Sequence, residues 1–294
     1  MGVFEFAFAG AVVLHRGIKS LLQKLLFLCA LGVASVAVAA PFNFSVMGDV
    51  PYGEQELALL VRQVDELPRT SAFVVHLGDI KEGTTPCDEA VYARVSGVLR
   101  RSVQPTFIIP GDNEWNDCDR PKQAWRFWTK HFLKLDEHWK HTFTVTRQKS
   151  RPENFAFTHE GALFVGITMV GGAVHDKSEW KDFLKDGSEW VEEQFKNEGE
   201  KVKCAVVFAH AFPTEKHHGI FADRFPTAAR KFGKPVLYLQ GDGHVWLRDQ
   251  PFENATNVTR VQVDQGGKAP PIVVTVTGDA KESFRFDRRL NPAR

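Results

Sequence analysis

A recurring pattern in this 294-residue chain sets an acid or a histidine directly behind a short apolar run. Asp49 follows FNFSVMG (42–48), Asp79 follows SAFVVHLG (71–78) and Asp112 follows TFIIPG (106–111). His210 ends KCAVVFAH (203–210), and Asp242 and His244 lie just past PVLYLQG (235–241). A single Gly-Asp pair is an ordinary turn, because Gly adopts positive φ and Asp bonds the backbone beyond it. Three in succession, each closing an apolar strand and joined by strand-end histidines, describe a site instead. Carboxylates crowded within a few ångströms repel one another, so they share protons or hold cations. Mixed with imidazoles they suit one or two divalent ions, and two ions at ~3.5–4 Å clamp a phosphoryl group and activate water at neutral pH. Metal-assisted hydrolysis is the chemistry these residue types favour.

The elements that would position these residues follow from periodicity. Leu57, Leu60, Val61 and Val64 recur at helical spacing between the first two strands, as do Val91, Val95 and Val98 between the second and third. Strands alternating with helices across short turns demand a parallel sheet covered by helices, with its ligand site outside the carboxyl ends of the strands. Beyond residue 155 the pattern is mixed: a strand pair about Gly161 (156–170), a helix over 188–197, and further strands at 203–210 and 235–241. VTRVQVDQ (258–265) and PIVVTVTG (271–278) read as antiparallel strands. No internal repeat, low-complexity tract or linker interrupts the chain, so residues 41–294 read as one α/β domain.

Residues 1–40 read as an address. LLQKLLFLCALGVASVAVAA (21–40) is apolar after Lys24, is preceded by Arg16 and Lys19, and ends on the small-residue A-x-A spacing of Ala37 and Ala39. Signal-peptide cleavage after Ala39 or Ala40 is the expectation, a membrane anchor its rival, and a periplasmic or secreted protein the product. In an oxidising compartment Cys87 and Cys118 would pair, with Cys204 a buried thiol; separately packed free cysteines are the alternative. Basic and acidic residues number 37 and 36, a net charge of +1, so no positive field would hold a nucleic acid, and no membrane contact is expected once the leader is removed. The glycines do not have G-x-G-x-x-G or Walker spacing, and no G-x-S-x-G elbow is present.

The order GDVPYG (48–53), GDIKEG (78–83), PGDNEW (110–115), FAHAF (208–212) and QGDGHVW (240–246) resembles the calcineurin-like metallophosphoesterase superfamily, purple acid phosphatases included. That resemblance implies a two-sheet αββα sandwich with mixed sheets flanked by helices. It also implies a mono- or dinuclear centre that activates water against a small phosphorylated substrate. It makes Asp49 and His244 ligands of a first metal, Asp79 a bridge and His210 a ligand of a second metal. Pro51 stands where a His or Gly is usual, Asp112 where an Asn is usual, and Asp242 where a His is usual. Glu82 falls where purple phosphatases place Tyr and would join the ligands. Asn113 takes the place of the His that assists the leaving group; an amide can stabilise phosphate charge but cannot act as a general acid. A one-residue slip would instead make Asn113 the ligand and leave Asp112 outside.

Five carboxylates (Asp49, Asp79, Glu82, Asp112, Asp242) with two histidines form an oxygen-rich set suited to Mn or Fe, with Mg or Zn as further candidates. Glu114 would orient its neighbours. Among other residues, His76 is expected to pack inside its strand, and His217 and His218 to lie exposed in a loop. His175 and Asp176 read as a turn that either faces the metals or is a simple turn, Tyr52 as a substrate contact or a packed ring, and the tryptophans as core and surface-anchoring aromatics. A metal-dependent phosphoesterase is the expected function. A catalytically weak relative binding metal or a phosphorylated ligand is the alternative, and a hydrolase of non-phosphate esters the third reading.

Overall fold

The computed structural model describes residues 40–290. The leader expected over 1–40 lies outside the described residues, Ala40 apart. Among the described residues no helix is long and apolar enough to cross a membrane.

Two sheets carry the fold. The first joins β1 (Phe42–Met47), β2 (Ser71–His76), β3 (Thr106–Ile108), β11 (Ile272–Val276) and β12 (Phe284–Asp287) in the order β12-β11-β1-β2-β3. β1, β2 and β3 run parallel, and β11 is antiparallel to β1. The connections are α1 (Glu54–Asp65) and α2 (Glu89–Leu99), the helices whose spacing the valines and leucines announced. The second sheet has seven strands: β4 (Thr146–Arg147), β5 (Phe155–His159), β6 (Ala162–Gly166), β7 (Cys204–Phe208), β8 (Val236–Gln240), β9 (Leu247–Asp249) and β10 (Val258–Gln262).

Each of the central strands is buried on both faces and feeds two cores. Phe44 and Val46 of β1 and Phe73 and Val75 of β2 point between the sheets, where they meet Phe157, Phe164 and Phe208 of the second sheet. Phe73 stacks against Phe44 at 5.0 Å and meets Phe164 edge-on at 4.9 Å between centroids, a geometry that adds to simple burial. On the outer face Met47 and Val74 pack under α1, α2 and α3 (Pro121–Phe132). Val165 and Val207 pack under α4 (Lys177–Glu198) and α5 (Gly219–Phe232) on the other side. The result is four layers, helix–sheet–sheet–helix, as expected.

Local details depart from the sequence reading. The helix expected over 188–197 begins at Lys177, because Asp176 caps it by accepting from the Ser178 and Glu179 amides; it runs through Gly187, which packs over Ile167 and Thr168. β10 is antiparallel to β9 but parallel to β8, so only half of its pairing is of the expected kind. His218 is fully buried rather than exposed: its two ring nitrogens face the carbonyls of Phe212 and Val170, and its ring stacks on Trp180. His217 stays on the surface.

Candidate metal centre

The strand ends converge on one rim. Asp49 and Asp79 close β1 and β2, and the Asp49 amide donates to the Gly78 carbonyl, tying the two turns together. Both aspartates adopt left-handed backbone, φ 55° and 57°, as do Asp242 (65°) and His244 (64°) after β8. Non-glycine residues enter this region at a cost of order 1–3 kcal/mol and persist where surrounding structure fixes them, commonly at sites. Gly78 and Gly111 let these turns approach: a Cβ on Gly78 would meet the Gly111 backbone, and one on Gly111 would strike Asp79.

Two sets of candidate ligand atoms result, each with its atoms within 4.8 Å of one another: Asp49, Asp79 and His244, and Asp79, Asp112 and His210. Asp79 belongs to both. In the first set His244 Nε2 lies 3.4 Å from Asp49 Oδ1, and Asp49 Oδ1 accepts the Asp242 amide at 2.9 Å. Asp49 Oδ2 is buried with no hydrogen-bond partner among the described residues, an expensive arrangement for a carboxylate oxygen unless a cation faces it. In the second set His210 is fully buried. Its Nδ1 lies 2.8 Å from the Leu77 carbonyl, so Nδ1 carries the hydrogen and Nε2 faces Asp112 Oδ1 at 2.8 Å and Asp79 Oδ1 at 3.4 Å. Asp242 Oδ1 stands 3.9 Å away. The donors are carboxylate oxygens and imidazole nitrogens at ligand spacing around an orphaned oxygen, and they fit one or two hard-to-borderline divalent ions.

The crowding shows in the proton affinities. Burial, with Asp112 and Glu114 nearby, holds Asp79 well above the usual carboxylate range despite the opposing pull of His210. Burial opposes charge on His210 too, but Asp79, Asp112 and Asp242 outweigh it and raise the imidazole well above its ordinary value. At Asp112 burial is overcome by the hydrogen bond and charge of His210, and the net shift is downward. Burial raises Asp242, and the hydrogen bond to Asp49 raises His244.

The remaining candidates fall in different places. Asn113 faces the centre: its Nδ2 donates to Asp79 Oδ2 at 2.5 Å and to Tyr52 Oη at 3.3 Å, and its amide donates to Asp79 Oδ1. Glu114 is buried beneath, accepting from the Gly111 and Ile80 amides and so pinning the two ligand-bearing turns. Glu82 is not brought to either set. It is exposed, with Oε2 accepting from Thr84 Oγ1, because Lys81 turns inward at that bend and its neighbour is carried outward. The disulfide Cys87–Cys118 is present with Cα atoms 6.0 Å apart, and Cys204 is a buried free thiol.

Three further residues stand at the centre: Tyr52, read from the sequence as a substrate contact or a packed ring, and Asp117 and Glu215, which were not singled out from sequence. Tyr52 Oη donates to Asp79 Oδ2 at 2.8 Å and lies 3.1 Å from His244 Nε2, inside the first set. Asp117 lies beside Asp112: a Cβ on Gly172 would meet both carboxylates. Burial raises Asp117 against the stabilising Ala173 amide. Glu215, in the loop before α5, is pushed up to about 7 by burial and by Asp242 and Asp112. D-N-E-W-N-D after a strand carries a sequence signal for Asp117, five residues past Asp112 on the same turn; nothing in the sequence ties Glu215 to this rim.

Among solved structures, the fold is shared with GAP50, the anchor in the inner membrane complex of Plasmodium. That match has a TM-score of 0.52 and 11% identity, over 84% of this chain and 88% of that one. It is also shared with the 5'-nucleotidase from Candida albicans SC5314, at TM-score 0.50 and 13% identity; 84% of this chain is covered but only half of the nucleotidase. No curated protein sequence matches the chain. The family model for calcineurin-like phosphoesterases matches residues 42–259, a span holding every strand-end acid and histidine of the rim, and the chain belongs to that family.

Proposed function

We propose that this protein hydrolyses phosphate esters at a metal centre held by Asp49, Asp79, Asp112, His210, Asp242 and His244. The observation that carries this reading is the double membership of Asp79, whose carboxylate belongs to both sets of ligand atoms. A bound divalent ion pair supplies electrophilic pull on the phosphoryl oxygens and lowers the proton affinity of the attacking water. Asp79 would serve both ions, and Glu114 fixes the turns on which Asp79 and Asp112 sit. Asn113 Nδ2, now turned to Asp79, can instead donate to a phosphoryl oxygen as its negative charge grows. It has no acidic proton to give a departing alkoxide, so leaving-group protonation must come from solvent or from another group on the rim. Manganese or iron are the ions proposed, from the mixture of carboxylates and two imidazoles. The disulfide, with the signal peptide expected over 1–40, supports export to a periplasmic or extracellular location.

The test is hydrolysis of a phosphate monoester and a diester by residues 41–294 after chelation, then with Mn²⁺, Fe²⁺, Mg²⁺ or Zn²⁺ restored. Turnover that returns with metal and is lost in Asp79→Ala is the expected result. Metal bound at stoichiometric level with no turnover of either ester would sink the enzyme reading. It would leave the second one, a binding relative of the same fold, which the amide at position 113 favours.

A further inference from the structure

Beside the metal rim lies a polar cavity of about 250 Å³ walled by the Cys87–Cys118 disulfide, the loop 83–88 and the start of α3. Two of its lining residues connect it to the centre. Gly83 sits so close to Asn113 that a Cβ there would come within 2.9 Å of Asn113 Oδ1, and Asp117 lies against Asp112 across Gly172. The cavity therefore lies next to Asn113 and, through Asp117, next to Asp112. Thr84, Thr85 and Gln123 offer hydroxyls and an amide. Asp88, Asp117 and Asp119 contribute three carboxylates against the one guanidinium of Arg120. Among the described residues no aromatic ring lines it, so an aryl group has none of them to stack on.

We propose that this cavity is the leaving-group subsite, receiving the alcohol portion of the phosphoester, and that it selects a hydroxyl-bearing alcohol that is neutral or cationic. This rests on the phosphoesterase reading above. In the reaction, water adds its oxygen to phosphorus, the P–O bond to the alcohol breaks, and one water proton ends on the departing alcohol oxygen. Hydroxyls on that alcohol replace their hydration by Thr84, Thr85 and Gln123, while an acidic alcohol meets a net excess of carboxylate and is disfavoured. Threading the disulfide through the wall holds the loop that carries Thr84 and Thr85 against the turn that carries Asp117.

The subsite is tested with the metal-loaded protein on four monoesters: glycerol 3-phosphate, phosphoethanolamine, 3-phosphoglycerate and p-nitrophenyl phosphate. Glycerol 3-phosphate and phosphoethanolamine should exceed 3-phosphoglycerate in kcat/KM by about tenfold or more. Asp119→Asn and Asp88→Asn should each narrow that gap several-fold, and Gln123→Ala should lower kcat/KM for glycerol 3-phosphate by more than for p-nitrophenyl phosphate, whose leaving group carries no further hydroxyl. A readout without turnover is saturation transfer to the C–H protons of glycerol 3-phosphate on chelator-treated protein, which should weaken in Gln123→Ala. An unaltered substrate ranking in all three variants, or preference for the acidic ester, overturns the subsite while leaving the phosphoesterase standing. No turnover of any ester by metal-loaded protein overturns both.

Discussion

The two halves of the rim are built differently. On one side His210 is fully buried, its Nδ1 committed to the Leu77 carbonyl and its Nε2 fixed on Asp112 and Asp79. On the other side the His244 side chain is 38% exposed, held by Asp49 at 3.4 Å and by the hydroxyl of Tyr52. The first arrangement presents a ligand with its tautomer and direction already set, so little conformational freedom is left to lose when an ion arrives. The second must orient a partly free ring. It also carries competing donors, since Tyr52 Oη and Asn113 Nδ2 both occupy Asp79 Oδ2. An affinity difference between the halves follows: the His210 side should fill first and the His244 side second.

The largest effect that could break this comparison is a histidine deletion on each side. His210→Ala removes a buried imidazole from among Asp79, Asp112 and Asp242 and leaves their charge uncompensated. We expect both ions to be lost, activity to fall at least about a thousandfold, and stability to drop by about 3 kcal/mol or more. His244→Ala should keep one tightly held ion per chain, with activity down about a hundredfold. Metal stoichiometry after gel filtration, with urea melts for stability, measures both. Equal retention of metal in the two variants would show the halves to be equivalent after all.

Asn113→Ala comes next. Removing one donor aimed at developing phosphoryl charge costs about 10²–10³ in kcat where such a donor acts in the transition state. Because Asn113 is not itself placed as a ligand, the expected split is a loss in kcat with both ions retained. Metal lost together with activity would instead favour the reading that puts Asn113 among the ligands and Asp112 outside.

The same contrast separates what the sequence could tell from what it could not. Asp49, Asp79, Asp112, His210, Asp242 and His244 were legible because strand ends of a parallel sheet must share a rim, so one-dimensional spacing translates into proximity. Tyr52 was open to either reading, since a ring three residues past a strand-end Asp can turn in or out; only the bend at Val50–Gly53 decides it. Glu82 was drawn in by its spacing from Asp79, but a loop has no fixed period, and Lys81 took the inward direction. His218 was read as exposed from its place in a Pro- and Gly-containing loop, while two backbone carbonyls at a buried helix start supplied partners that no local pattern records. The parallel half of β10 depends on a partner in β8 about twenty residues earlier, a pairing that local spacing does not reveal.

His76 and His210 sharpen the comparison through pH. Both are fully buried at strand ends near the rim, yet burial lowers His76 to about 4 whereas carboxylates raise His210. His76 sits between the Val50 carbonyl and the Gly78 amide, with one nitrogen donating and the other accepting, so the neutral ring is the form that fits. Its folded value lies below the unfolded value of about 6.5, so the unfolded chain binds the extra proton between those limits. The stabilisation is complete above about pH 6.5 and fades as pH falls toward 4, amounting to about 2 kcal/mol by pH 5. His76→Gln keeps a donor and an acceptor without a titrating ring, and its urea stability should be flatter than wild type between pH 6.5 and 5. Parallel curves would remove His76 as the source.

The smallest expected effect lies at Tyr52, and its sign matters more than its size. Its hydroxyl gives its hydrogen to Asp79 Oδ2 and stands next to His244 Nε2, two atoms that an ion on the His244 side would also use. Burial and the charge of Asp79 push the phenol far above its ordinary value, so it meets the carboxylate as a neutral donor. A neutral donor on a ligand oxygen competes with a cation for the same lone pair, and one such hydrogen bond is worth about 1 kcal/mol. Tyr52→Phe should therefore tighten binding of the second, weaker ion by up to about tenfold and leave the first unchanged, as read by competition with a coloured chelator. Weaker binding in the variant would mean that Tyr52 holds Asp79 and His244 in place for the ion. The His244 side would then be as preorganised as the His210 side, only by a phenol in place of a carbonyl.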